Sequence, residues 1–231
     1  MLEELKKEVY EANMLLEKYE LVTFTWGNVS GIDWDKKLMV IKPSGVSYDK
    51  LKPEDMVVMD LDYNVVEGTL NPSTDAPTHI YLYNKFPNLK GICHTHSLYA
   101  TSWCQAGKDI PIQGTTHADN FYGDIPCTEH LDVKKIKNSY EYETGVIIAE
   151  KFEKNNIKVE DMPAVLVNNH GPFTFSNSPK KAVEIAKILE VVAQMTLNSY
   201  MLSKQENNLT QELMDKHYFR KHGKDSYYGQ K

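Results

Sequence analysis

Short β-prone segments in this chain come in pairs around tight turns, and helical stretches interrupt them without a strict strand–helix–strand rhythm. Leu38-Met39-Val40-Ile41 follows a hairpin-like connection at Asp33-Trp34-Asp35-Lys36, and Met56–Leu61 and Val65-Val66-Glu67 flank Asp62-Tyr63-Asn64. Ala164-Val165-Leu166-Val167 has the continuous apolar character of a buried strand, with Phe173-Thr174-Phe175 as its return partner. Leu21-Val22-Thr23-Phe24 is β-prone as well, and Trp26–Gly31 leads into a short strand. Helices are expected over 2–19, where Leu2, Leu5, Val9, Ala12, Leu16 and Tyr19 recur three or four residues apart, and over about 78–86. Further helices are expected over 98–106, capped by Ser97 and closed by Gly107, over 144–154, and from Ser178-Pro179 to about Ser203. Strands bracketed by helices in this irregular order predict a three-layer α/β/α sandwich with a largely antiparallel or mixed central sheet. With 231 residues and no linker or repeat, one domain over 1–231 is expected, with 204–231 as a C-terminal helix and tail.

Composition narrows the partners. A net charge of -6 argues against nucleic acid, which asks for a basic surface. No apolar run approaches a membrane span, and Met1–Lys7 is too acidic for a signal peptide. Cys93, Cys104 and Cys127 are odd in number and lack CxxC spacing, as expected of free thiols in a reducing cytoplasm.

Two histidines stand two apart in Gly91-Ile92-Cys93-His94-Thr95-His96. On a strand, His94 and His96 share one face and Cys93 takes the other. Two imidazoles on one face make half of a metal site, and His170, at the end of the second buried strand, would make three. From the residues alone, these are either ligands or three unrelated members of the eight histidines. Lys42-Pro43-Ser44-Gly45 offers an ammonium, a hydroxyl and unhindered amides, and Asn71-Pro72-Ser73-Thr74 offers hydroxyls at a helix start. Both suit an anion, and both are also ordinary turn sequences. Asp75, beside that helix start, is by default a cap. Proton-transfer candidates are Asp119, Glu141, Glu143, Tyr140, His117, His217, Tyr227 and Tyr228, which composition does not rank.

Together, Trp26-Gly27-Asn28-Val29-Ser30, Lys42–Gly45, Pro72–His79, His94-Thr95-His96, Gly114–Asp119 and Asn169–Pro172 resemble the zinc-dependent class II aldolase/epimerase family over essentially the whole chain. The tail His217–Gly223 with Tyr227–Gln230 resembles its epimerase branch. The resemblance implies a cyclic homotetramer with active sites between subunits. It implies that His94, His96 and His170 bind Zn2+, a site that Mn2+ or Co2+ also suits, with Asp75 as a fourth ligand before substrate binds. It implies a substrate phosphate on Asn28, Lys42, Ser44, Gly45, Ser73 and Thr74, where Ser73-Thr74 replaces the family's frequent Ser-Ser and keeps the hydroxyl. The implied catalytic pair is Asp119 and Tyr228, the latter reaching in from a neighbour, with Thr115, Glu141 and His217 lining the site. The implied substrate is a phosphorylated ketopentose, inverted at C4 by metal-assisted retro-aldol cleavage and re-addition. Such an activity serves arabinose or ascorbate-type sugar breakdown alike. Two alternatives stand beside it. One is an aldolase of the same family acting on L-fuculose 1-phosphate or a similar ketose phosphate, although relatives of that kind typically carry glutamate at the position of Asp75. The other is a scaffold of the same fold that has lost its metal ligands.

Overall fold

A computed structural model of the protein describes residues 2–204, 208–222 and 226–229. Seven strands form one sheet: β1 (Asn28–Asp33), β2 (Leu38–Ile41), β3 (Val57–Asp60), β4 (Val65–Glu67), β5 (Gly91–His94), β6 (Ala164–Leu166) and β7 (Pro172–Ser176). Their order is β4-β3-β2-β1-β5-β7-β6, and every neighbouring pair is antiparallel. The expected choice between antiparallel and mixed therefore resolves to antiparallel. Seven helices accompany the sheet among the described residues: α1 (Glu3–Lys18), α2 (Ala76–Lys85), α3 (Leu98–Ala106), α4 (Thr115–Ala118), α5 (Val133–Lys154), α6 (Pro179–Ser203) and α7 (Gln211–His222).

Strand alternation sorts the core into two faces. Ile32, Met39, Ile41, Val57, Met59 and Ile92 pack with α2 and α5. Val29 and Cys93 meet Ala12 and Leu16 of α1 and Ala182 and Val183 of α6. Val40 and Val58 meet Val9 on the same side. Gly91 lets β5 lie against the start of α6, since a Cβ there would come within 2.3 Å of the Ser178 carbonyl. Cys93 is thus a core residue on the face away from the histidines, its thiol pushed up to about 12 by burial.

Three local expectations are corrected. Leu21–Phe24 is not a strand: Glu20 (φ 58°) and Phe24 (φ 55°) take left-handed backbone, which turns an extended run aside at both ends. The helix expected from 144 starts at Val133, where the Asp132 side chain accepts from the amides of Lys134 and Lys135, and its geometry breaks at Ser139. Ser97 makes no side-chain cap. The Glu190 carboxylate from α6 accepts from the Tyr99 and Ala100 amides instead, at 2.8 and 2.9 Å, and so anchors the helix that follows His96. Gly223 and Gln230 of the tail fall outside the described residues. His217, expected at the head of a tail, lies on α7.

Candidate active site

The register of the central strands brings the histidines of the site together. Asn28 of β1 pairs with His94 of β5, and His94 pairs with Phe173 of β7. β5 pairing ends at His94, so His96 lies past the strand and the alternation argument does not reach it. The two rings still converge: their Nε2 atoms are 3.1 Å apart. The β6–β7 turn, with Asn169 in left-handed backbone (φ 59°), delivers His170. Donor atoms of His94, His96 and His170 all lie within 4.8 Å of one another.

The Pro172 carbonyl, 3.0 Å from His94 Nδ1, only accepts, so His94 carries its proton on Nδ1 and turns an Nε2 lone pair inward. Burial, aided by the neighbouring His96, pushes the His94 imidazole down to about 3. Burial and the nearby His94 do the same to His170. His96 is lowered chiefly by burial. These rings are neutral at physiological pH, the form that ligates metal. Three neutral nitrogens with a carboxylate nearby and an open side fit a divalent metal. Asp75 supplies that carboxylate: Oδ2 lies 4.0 Å from His94 Nε2 and accepts from Asn28 Nδ2 at 2.7 Å. Asp75 stands at the N-cap of α2 and its carbonyl accepts the His79 amide (3.1 Å), but its side chain makes no cap bond, so the default role of the carboxylate as a cap is overturned.

The two candidate anion turns are sewn together. The Ser44 amide donates to the Asn71 carbonyl (2.9 Å), and the Ser73 amide donates to the Lys42 carbonyl (3.0 Å). Gly45 takes φ 69° with open space beyond its Cα. Lys42 is 2% exposed, and its ammonium lies 3.5 and 3.4 Å from the Thr25 and Pro43 carbonyls and 5.0 Å from the Tyr48 ring centroid. Burial lowers it to about 8. A buried ammonium facing only carbonyls and a ring favours an incoming anion. A cavity of about 530 Å³ is lined by Asn28, Lys42, Ser44, Gly45, Ser73 and Thr74, and also by Asp75, His96, His170 and Glu141. Tyr140, one of the unranked proton-transfer candidates, lines it too, its ring 5.7 Å from His170, as does Trp26, for which no role in the site was expected. A larger cavity of about 750 Å³, beside Trp103 and Cys127, holds none of the expected residues.

Asp119, His217 and Tyr228 do not line the cavity of about 530 Å³ and form a second cluster instead. Asp119 closes α4 and is gripped by α7: Arg220 Nε and Nη2 donate to its two oxygens at 3.0 and 2.7 Å, with His217 at 3.1 Å and Lys221 at 3.4 Å. Burial works to raise this carboxyl, but the hydrogen bonds from Arg220 and His217 and the two cationic charges outweigh it and hold it below the usual carboxylate range. Tyr228 stacks over Arg220 and Lys221. Thr115 belongs to neither cluster; its carbonyl accepts the Asp119 amide.

Residues 7–197 match the family model described as the class II aldolase and adducin N-terminal domain. The chain belongs to this family. It is similar, at 51% identity over all of its length and 96% of the other protein, to a Mycoplasma pneumoniae protein named probable L-ribulose-5-phosphate 4-epimerase UlaF. Among solved structures it is similar to an L-fuculose 1-phosphate aldolase (TM-score 0.80, 27% identity, 93% of this chain and 94% of that one). It is also similar in fold to YgbL of Escherichia coli, a putative aldolase/epimerase/decarboxylase (TM-score 0.72, 21% identity, 93% and 97% covered). Class II aldolases are typically metal-dependent, and the three imidazoles here offer a place for a metal ion. No helix among the described residues is long and apolar enough to cross a membrane.

Proposed function

We propose that this protein is an epimerase that interconverts L-ribulose 5-phosphate and D-xylulose 5-phosphate. The observation that carries the reading is one cavity in which His96 and His170, two of a set of three converging imidazoles, adjoin a buried, anion-seeking lysine, in a chain half identical over its full length to a protein named for that reaction.

The chemistry asks for both parts. The C4 hydrogen is not next to the C2 carbonyl, so simple deprotonation does not invert C4. The C4 hydroxyl is β to that carbonyl, so C3–C4 can break as a retro-aldol. Zn2+ on His94, His96 and His170, with Asp75 close by, would act as a Lewis acid toward the negative charge that develops on the C2 and C3 oxygens. Lys42, Asn28, Ser44, Gly45, Ser73 and Thr74 hold the phosphate and so retain the aldehyde fragment while its carbonyl face turns over. One group takes the proton from the C4 oxygen as C3–C4 breaks, and another returns a proton to that oxygen after attack on the opposite face. Asp119, ionised by its cationic partners, suits the first role, and the Tyr228 phenol suits the second.

The resemblance brings only Tyr228 from a neighbour, but Asp119 also lies outside the cavity of its own protomer, so both serve the cavity of a neighbouring copy in a cyclic homotetramer. Glu141 lines that cavity from its own protomer, His217 and Thr115 come to it from the neighbour with Asp119, and the enzyme works in the cytoplasm. The test is conversion of L-ribulose 5-phosphate by metal-loaded and chelator-treated protein. No D-xylulose 5-phosphate from the loaded protein overturns the reading, and dihydroxyacetone phosphate released from L-fuculose 1-phosphate would favour an aldolase. Mixing inactive His96→Asn and Asp119→Asn chains should restore part of the activity, because some cavities then pair an intact metal site with an intact Asp119.

A further inference from the structure

We infer that Arg220 is the positioning residue that joins Asp119 and Tyr228 into one unit. The inference rests on the assignment of those two groups above. Three contacts from one residue carry it. The Arg220 guanidinium grips Asp119 with two parallel hydrogen bonds, Nε to Oδ1 (3.0 Å) and Nη2 to Oδ2 (2.7 Å). Its carbonyl, in the last turn of α7 where helical partners run out, accepts the amides of Tyr227 (3.0 Å) and Tyr228 (3.1 Å). Its guanidinium also lies 5.2 Å from the Tyr228 ring centroid. Side chain, carbonyl and charge thus fix Tyr228 relative to Asp119, although the two are far apart in sequence.

A surface ion pair alone would carry little weight. Here the Asp119 side chain is 13% exposed and the contact is a planar fork matched to both oxygens, a geometry that lysine does not reproduce. The other groups facing Asp119 are His217 and Lys221 on its oxygens and His222 on its carbonyl, all from α7. Around Tyr228 stand Lys221, whose ammonium is 4.5 Å from the ring centroid, and Glu160, Lys181 and His222, which line the adjoining cavity. Only Arg220 bonds the Asp119 carboxylate and also holds the tail backbone among these described contacts.

The test compares Arg220→Gln and Arg220→Lys with the wild type. Arg220→Gln should lower kcat about a hundredfold, the scale of a small misplacement of reacting groups, with KM and bound metal unchanged because Lys42 and the imidazoles lie elsewhere. The acidic limb of kcat should move to higher pH as Asp119 loses its strongest opposing hydrogen bonds. Arg220→Lys keeps the charge and should return that limb most of the way while recovering only part of kcat. The Asp119 carboxyl, titrated by 13C NMR in the metal-loaded full chain, should move up in Arg220→Gln and reports on the contact without any turnover. Wild-type kcat in Arg220→Gln, an unmoved Asp119 titration, or equal losses in KM and metal content would each overturn the inference. If Asp119→Asn and Tyr228→Phe turn over normally, the proton-transfer assignment itself fails. If they are inactive and Arg220→Gln is not, only the role of Arg220 falls.

Discussion

Phe173 lies flat against His94, with ring centroids 4.2 Å apart and planes 19° from parallel. The same ring meets His170 edge-on at 6.1 Å. His94 is therefore held by a ring on one face and by the Pro172 carbonyl at Nδ1, which leaves Nε2 one direction to point. Phe173 is fully buried, so its loss would also cost packing. Phe175 is an equally buried control, its ring meeting Phe152 and, among the described residues, no imidazole. Phe173→Leu and Phe175→Leu should destabilise the protein by similar amounts, about 1–2 kcal/mol. Only Phe173→Leu should weaken metal binding, about tenfold or more, in competition with a chromophoric chelator. Equal affinities in the two variants would show that the stack does not orient the ligand.

If Lys42 holds the substrate phosphate as proposed, substrate affinity should depend on pH. Burial lowers its ammonium from 10.5 to about 8. Below about pH 8 the cation is present and attracts phosphate; above it the charge is lost. A phosphate monoester is already a dianion there, since its second ionisation lies near pH 6. KM for the phosphorylated substrate should be flat from pH 7 to 8 and then rise, up to tenfold per pH unit. Lys42→Met should raise KM about 10- to 100-fold and remove the rise. The unfolded chain binds this proton more tightly than the folded chain, so between pH 8 and 10.5 stability grows with pH, and below about pH 8 the charge costs stability. Lys42→Met should therefore melt above the wild type at pH 7. A lower melting temperature would mean the lysine is structural rather than waiting for an anion.

Residues differ in how much of this the sequence discloses, for physical reasons. The hairpins about Asp33–Lys36 and Asp62–Asn64 were legible because turn residues punctuate apolar runs. Leu21–Phe24 has the same apolar look, but the left-handed backbone of Glu20 and Phe24 depends on tertiary packing. The first half of α5 was hidden because Val133 and Ile136 are exposed and give no apolar period. His94 and His96 were legible by spacing, and His170 by its place after a buried strand. Asp119 and Tyr228 stood out only through family resemblance, since their cluster depends on α7 folding back onto α4. Phe173 is indistinguishable in sequence from any core aromatic, and only the strand register puts it beside His94.

Gly171 is required by space rather than by backbone conformation. A Cβ there would lie 2.5 Å from the Thr95 carbonyl oxygen and 3.1 Å from His94 Cε1. The first neighbour is backbone and does not swing away, so Gly171→Ala must move the His170 turn or the segment between the two other histidines. The variant should lose about 1–3 kcal/mol of stability, the range for overpacking, and bind metal at least tenfold more weakly by titration calorimetry. Intact metal affinity despite the lower stability would show that the turn relaxes away from the imidazoles.

Asp75 gives a test in which two roles predict opposite results. As a helix cap, Asp75→Asn should change nothing, because aspartate and asparagine cap about equally well. The Asp75 side chain makes no cap bond here, and its Oδ2 instead lies between Asn28 Nδ2 and His94 Nε2. Asparagine can still accept from Asn28 through its carbonyl oxygen, so the metal-free variant should melt within about 0.5 kcal/mol of the wild type. Its missing negative charge should weaken divalent metal binding about tenfold, read by chelator competition at pH 7. Unchanged affinity would remove Asp75 from the metal site and leave it as a partner of Asn28 alone.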